Sequence, residues 1–287
     1  MTDISGQNRS PFSPRAENRA GAGAGAGAGA AAAGGTALRT LAALMLAPAL
    51  AVLSVPGKSS ADSGLPDPNV ILEEVDEIRA PDTDFVFSLE VESRSDDEVD
   101  TSALRVRVKD SEKSLVVFSD PPDQAGRVLL SVEDNMWIYI PGTSRPIRIS
   151  PQQRLSGTVA NADVSRVVYS LDYDATAIEA DTVDGVDAWR LSLERDSDFA
   201  AYGSLTLWVR QDNSHPIKAE FFALSGRLLN TAYYGEYEEL LGRERPTVLE
   251  VHSAVNTGEV TTMRYYDMAV EVTPDQYFQR SFMTRVR

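Results

Sequence analysis

Residues Asn135 to Ser150 read NMWIYIPGTSRPIRIS. Successive side chains of a strand point to opposite sides, so Trp137 and Tyr139 share one face and Met136, Ile138 and Ile140 the other. A strand that is apolar on both faces is covered on both faces. A lone sheet with one wet side does not accommodate it, whereas a sheet curled around something does. Pro141-Gly142 then turns the chain. A second strand follows over Ile147 to Ile149, accompanied by Arg145 and Arg148.

The period of two continues on either side of this segment. Phe85, Phe87, Leu89 and Val91 alternate with Glu90 and Glu92, and Leu104, Val106 and Val108 alternate with Arg105, Arg107 and Lys109. Val128, Leu130 and Val132 share a face, as do Trp189, Leu191 and Leu193. Later segments around Leu205 to Val209, Ile217 to Phe222, Val248 to Val251 and Met268 to Val272 are similar. Such alternation marks half-buried strands. Turn signals stand between them at Asp120-Pro121-Pro122, Asp184-Gly185 and Ser225-Gly226. Hardly a helix intervenes, so the connections are antiparallel hairpins and not βαβ units. About ten to twelve strands are expected, enough for a large curled sheet or barrel. One helix is expected before them: Asp67-Pro68 opens it, Val70, Ile71, Val75 and Ile78 recur at helical spacing, and Pro81 stops it. Thr273 and Pro274 open a last short helix in TPDQYFQRSF.

Residues 1–61 read as an address and residues 62–287 as one β domain. Ala20 to Ala33 are almost pure glycine and alanine, a composition that buries nothing. Arg39 precedes the apolar run Leu41 to Val55, and Ser59-Ser60-Ala61 offers small residues for cleavage after Ala61. That is the pattern of a cleavable secretory signal, and a periplasmic location is expected. The run is short of the ~20 apolar residues of a spanning helix, and Pro48 interrupts it.

The 287 residues contain no cysteine and carry a net charge of −16. Disulfides, thiolate metal sites and a cysteine-linked lipid anchor are thereby excluded. So acidic a chain is not a nucleic-acid binder, since phosphate neutralisation needs clustered Lys and Arg, and it resists anionic membranes as a whole. His215, beside Pro216, and His252, at a strand end, read as exposed loop and edge residues. Carboxylates are plentiful, and a close Asp172–Asp174 pair in a cleft has acid–base potential, but in so acidic a chain such pairs arise by chance. The acidic runs Asp96 to Asp100 and Glu236 to Glu239 lack the glycine-punctuated spacing of a calcium loop and read as solvated hairpin tips. No catalytic motif, metal cluster or cofactor motif is present in the sequence, so neither an enzyme nor a cofactor is expected.

The order Phe118, Pro121, Gly126, then Trp137, Tyr139, Pro141, then Arg148, Ile149, Ser150 resembles the outer-membrane lipoprotein-sorting protein family, relatives of the LolA-type periplasmic carrier. LSGTVANADVSR, with Gly157 and Asp163, continues the likeness, as do WRLSLER, LTLWVRQDNSHPIKAEFFALSGRLL and Phe282. The likeness covers almost all of Pro66 to Arg287. The third motif is shortened here, and Leu155-Ser156 stands where many relatives have a bulky aromatic. The resemblance implies an all-β fold with a few helices: a strongly curved antiparallel sheet, an unclosed barrel, lidded by helices on its concave face. It also implies a soluble carrier of acyl chains of lipoproteins or other lipids. The candidate lipid-binding residues are Trp137, Tyr139, Phe85, Phe87, Leu104 and Val106 in the hollow, with Arg148 at its rim to meet a headgroup. The alternative is an accessory subunit that docks onto an inner-membrane lipid exporter of the resistance-nodulation-division type and carries no cargo.

Overall fold

The helix expected after Asp67 forms as α1, Pro68–Arg79, in the computed structural model, which describes residues 64–96 and 98–286. The glycine–alanine segment, the apolar run and the cleavage position assigned above lie outside the described residues. The Asp67 carboxylate accepts the Asn69 N–H at 2.9 Å, which satisfies one amide that a helix start leaves free. Pro68 fills the first turn, where its missing N–H costs nothing. Ile71, Leu72, Val75 and Ile78 form one buried stripe. Ala80 is already extended, as a residue before proline tends to be.

Strands β1 (Phe85–Ser95), β2 (Glu98–Lys109), β3 (Lys113–Asp120), β4 (Val128–Val132), β5 (Asn135–Tyr139) and β6 (Ile147–Ile149) follow as successive hairpins. A separate ribbon, β7 (Arg154–Ser156) with β8 (Val159–Ala160), leads into α2 (Asn161–Ser165). Then come β9 (Tyr173–Val183), β10 (Val186–Arg195), β11 (Ser204–Arg210), β12 (Pro216–Phe222), β13 (Leu228–Leu240), β14 (Arg243–Ser253) and β15 (Val260–Val270). The fifteen strands of the described residues exceed the ten to twelve expected, in part because β7 and β8 are too short for alternation to show.

Thirteen of them form one antiparallel sheet in the order β6-β5-β4-β3-β2-β1-β15-β14-β13-β12-β11-β10-β9. The chain runs from the centre to the β6 edge, crosses by way of β7, β8 and α2, and returns from the β9 edge until β15 pairs with β1. The sheet does not close: β6 and β9 are its free edges. Each edge is blunted, β6 by having only three residues and β9 by the exposed Asp174 and Glu179.

The register sorts the two faces. Leu104 lies opposite Phe118, Val106 opposite Val116, Val116 opposite Leu129 and Leu129 opposite Ile138. These residues belong to the main core, which also contains Ile71, Leu72 and Val75 of α1. The other face carries Leu115, Val128 and Leu130, with Trp137 and Tyr139 beside them. It is covered by Phe278 and Met283 of the C-terminal segment. That segment forms two 3-10 turns, Asp275–Phe278 and Met283–Arg285, in place of the short helix expected from its sequence. Strand β5 is therefore apolar on both faces, as its sequence requires, but each face has its own cover. Ile140, expected beside Met136 and Ile138, falls past the end of the strand and is exposed.

The crossover is pinned to the inner side of the sheet at Gly157 and Thr158. The Thr158 N–H donates to Thr261 Oγ1 at 3.0 Å, and Asn230 Nδ2 donates to the Thr158 carbonyl at 3.2 Å. Gly157 has a φ of +50°, and a Cβ there would lie 2.1 Å from Ser93 Oγ and 2.2 Å from Thr261 Oγ1. Both the close approach and the left-handed backbone demand glycine. Gly157→Ala is expected to destabilise the fold by about 1–3 kcal/mol and to raise amide exchange first in β7, β8 and α2. Chemical denaturation with hydrogen-exchange mass spectrometry measures both. An unchanged midpoint and exchange pattern would show that the crossover does not depend on this contact.

Candidate functional site

Beneath α1 and α2 the inner face of the sheet is not fully occupied. Two small cavities of about 30 Å³ each share Arg79, Asp163 and Leu249. The first is also lined by Val167, Tyr234, Val248, Tyr265 and Met268, the second by Tyr169, Tyr202, Phe221, Val251 and Met263. Each has room for a water molecule or two.

Helix α1 covers this space through an apolar stripe and a set of polar contacts along its length. At its start, Asn69 and Ala175 of β9 exchange hydrogen bonds: the Ala175 N–H donates to Asn69 Oδ1 at 3.0 Å, and Asn69 Nδ2 donates to the Ala175 carbonyl at 3.3 Å. At its end, Arg245 Nη1 of β14 donates to the carbonyls of Glu77 and Ile78 at 2.7 and 2.9 Å. Carbonyls at a helix C-terminus have no partner within the helix and sit at its negative end, so a guanidinium is suited to them. Asp76 accepts the backbone N–H groups of Tyr169 and Ser170 at 2.7 and 2.8 Å.

The hollow also holds charge. Burial pushes the Asp76 carboxyl up, against the opposing pull of Arg79 and of the two amides. The Arg79 guanidinium stacks on the Tyr169 ring at 3.7 Å. Its Nη1, 3.7 Å from Asp76, has no hydrogen-bond partner. The hydroxyls of Tyr169 and Tyr234 are hydrogen-bonded to each other. Asp163 accepts the Ala160 N–H at 2.7 Å, which starts α2, and the Tyr202 hydroxyl at 2.8 Å. Enclosure outweighs these bonds and pushes Asp163 up to about 6.

None of the seven candidate residues from the sequence lines either cavity. Phe85, Phe87, Leu104 and Val106 lie on the inner face but are fully buried core. Phe87 reaches the hollow only through Tyr265, whose ring centroid is 5.7 Å away. Trp137 and Tyr139 are on the opposite face, which corrects their assignment to the hollow. The reason is register. Trp137 pairs with Leu130 and Tyr139 with Val128, and both partners face the C-terminal segment. Arg148 lies opposite Trp137 and is exposed on that outer side, so it is not at the rim of the hollow.

Other expectations are also revised. His215 is buried, its ring stacked on Tyr237 at 4.2 Å, and desolvation lowers its pKa. His252 is half-exposed, with its ring on Glu250. Asp172 does not pair with Asp174. It is buried against Arg166 at 3.1 Å while Asp174 is exposed. Asp96 sits at a hairpin turn at φ +50° and Glu98 to Asp100 begin β2, while Glu236 to Glu239 lie within β13. Among the described residues no group of three or more metal-ligating side chains converges, and no helix is long and apolar enough to cross a membrane.

The cavity-lining residues that sequence reasoning missed had faint signals. Tyr234 and Tyr265 belong to the tandem pairs Tyr233-Tyr234 and Tyr265-Tyr266, in which alternation sends one ring to each face. Arg79 closes α1, the amphipathic helix before the strands. Asp163 lies in the LSGTVANADVSR stretch.

An unclosed antiparallel sheet with helices over a partly empty concave face defines a class of proteins built as open barrels. A LolA superfamily protein from Nitrosomonas europaea is 34% identical to this chain, covers 76% of it and is itself covered in full, with a TM-score of 0.72. The chain belongs to the LolA superfamily. A family model described as an uncharacterized protein matches residues 110–285. The fold is shared with an outer membrane lipoprotein-sorting protein domain from Vibrio parahaemolyticus, at 21% identity and a TM-score of 0.64. It is shared as well with a DUF1329 family protein from Desulfovibrio piger, at 22% identity and a TM-score of 0.64. Each of these two covers 76% of this chain and is covered in full. No curated protein matches the chain.

The raised pKa of Asp163 has a stability consequence. Between its unfolded value near 4 and about 6 the folded state binds the extra proton, so stability from this group falls as pH rises through that window. Asp163→Asn keeps an acceptor without the charge. It is expected to remove about 3 kcal/mol of that pH dependence, the full difference being reached above about pH 6. Urea midpoints of both proteins from pH 4 to pH 7 test this. Parallel curves would show that Asp163 titrates normally.

Proposed function

We propose that this protein is a periplasmic carrier that takes the acyl chains of a lipid or lipoprotein into the hollow beneath α1 and moves them toward the outer membrane. The observation that carries this reading is the cover itself. A strongly apolar concave face is closed by a single helix and a crossover, with partly empty space between, and not by a second sheet. Export by the Leu41 to Val55 run fits that role.

The hollow is narrow as it stands. Small-molecule pockets measure roughly 300–1,000 Å³, far beyond the two cavities of about 30 Å³. Uptake therefore requires α1 to lift. Exposing its four buried aliphatic side chains costs roughly 6–12 kcal/mol at ~1.5–3 each. Burying an acyl chain of about sixteen carbons returns roughly 12 kcal/mol at ~0.8 per CH₂. The two are of the same order, and a carrier that must also release its load needs that near balance. In the opened state Tyr265, Met268 and Leu249 would meet the chain first, with Phe87 and Val106 behind them.

Met268 is half-buried and lines the first cavity. A carboxylate there can stay hydrated while the hollow is empty but opposes an apolar ligand. Protein purified without detergent is expected to carry lipid in native mass spectrometry and to bind a fluorescent fatty acid. Met268→Glu should lose both while its melting temperature stays within a few degrees. Trp137→Glu, on the outer face, should lower the melting temperature and leave binding by the folded fraction intact. Absence of lipid and of fatty-acid binding in the unaltered protein would overturn the carrier reading in favour of a cargo-free subunit docking onto an exporter.

A further inference from the structure

Most cations in the described part of this acidic chain are neutralised locally. Lys109, Lys113 and Lys218 each face a carboxylate. Arg107, Arg154, Arg166, Arg190 and Arg210 do the same. Arg145, Arg148 and Arg280 differ. All three are exposed, and among the described residues none forms an ion pair or a side-chain hydrogen bond. They nevertheless converge. With Pro146 and Ile147 they line a groove of about 360 Å³. Arg148 lies on β6 opposite Trp137, Arg145 in the turn that leads into β6, and Arg280 between the two C-terminal 3-10 turns.

Three guanidinium groups around one groove repel one another, and among the described residues no carboxylate lines it. The arrangement is relieved by an external anion with several acceptor oxygens. Guanidinium forks match phosphate in this way, two parallel N–H donors to two oxygens. A single carboxylate would leave most of the donors unused. The surroundings narrow the source. Ile147 is 53% exposed and Ile140 is 37% exposed beside the same turn, and aliphatic side chains next to cations suit the boundary between headgroups and acyl chains.

We infer that this outer-face groove is a binding site for a phosphate group, supplied by an anionic phospholipid headgroup at a membrane surface. It lies across the sheet from the hollow and does not depend on what the hollow carries. The net charge of −16 does not forbid it. Carboxylates more than a Debye length away, about 8 Å at physiological salt, are largely screened.

The test uses the full chain with vesicles of phosphatidylcholine, with and without phosphatidylglycerol, and with inorganic phosphate as the free-anion probe. The protein is expected to co-sediment with the phosphatidylglycerol vesicles and not with phosphatidylcholine alone, and the binding should weaken as salt rises. Each basic residue at such a surface is worth roughly five-fold in affinity, so R145Q/R148Q/R280Q should lose on the order of a hundred-fold. The three side chains hold no internal partner, so the triple variant should keep the wild-type circular dichroism and melting temperature. If phosphatidylglycerol vesicles fail but inorganic phosphate raises the melting temperature of the wild type and not of the variant, the groove takes phosphate and the membrane source is wrong. Vesicle binding unchanged in a folded triple variant, or no response to either probe, would overturn the site.

Discussion

A sheet that does not close leaves its own interior uncovered. In this protein thirteen strands curl without β6 meeting β9, so the apolar inner face from Phe85 to Leu129 must be sheltered by something other than strand. The connectivity supplies it. Because the chain travels to one edge and resumes at the other, the segment between them has to cross the sheet. Gly157, Thr158 and Asp163 fix where it crosses. Helix α1, which precedes β1, fills what the crossover leaves. The cover is thus a consequence of leaving the barrel open.

The same logic explains which parts of the fold the sequence reveals. Alternation in β1, β2 and β10 is strict because one face of each is core, and the helix at Asp67 carries its cap, its proline and its stripe in the open. The strand at Met136 to Tyr139 announces two covered faces but not which cover belongs to which face. That depends on register with β4 and on the C-terminal segment more than a hundred residues away, and neither is a local property. Trp137 and Tyr139 accordingly read as lining the hollow, whereas they lie under Phe278 and Met283. The cavity lining was hidden for a related reason. Arg79, Asp163, Tyr234 and Leu249 come from a helix, a crossover and two strands, and only tertiary structure gathers them. Histidine shows the converse error: His215 sits beside a proline in a turn, a setting that reads as exposed, yet its ring is stacked on Tyr237.

The way α1 is held also bears on how it could move. Its contacts divide into two kinds. The hydrogen bonds from Arg245, Asn69, Tyr169 and Ser170 join groups that water can satisfy equally well once the helix lifts, so each contributes only about 0.5–1.5 kcal/mol net, more where a charge takes part. They set where the helix sits more than how tightly it is bound. The stripe of Ile71, Leu72, Val75 and Ile78 is different, because water is a poor substitute for apolar contact and an acyl chain is a good one. Under the carrier reading the costly part of opening is therefore the part that a lipid can replace. The polar contacts guide the helix back to one position when the lipid leaves. Arg79 Nη1, which makes no hydrogen bond, and the enclosed Asp163 fit that reading. On that reading, charges that a tightly packed core would exclude are tolerated because the interior has to come apart.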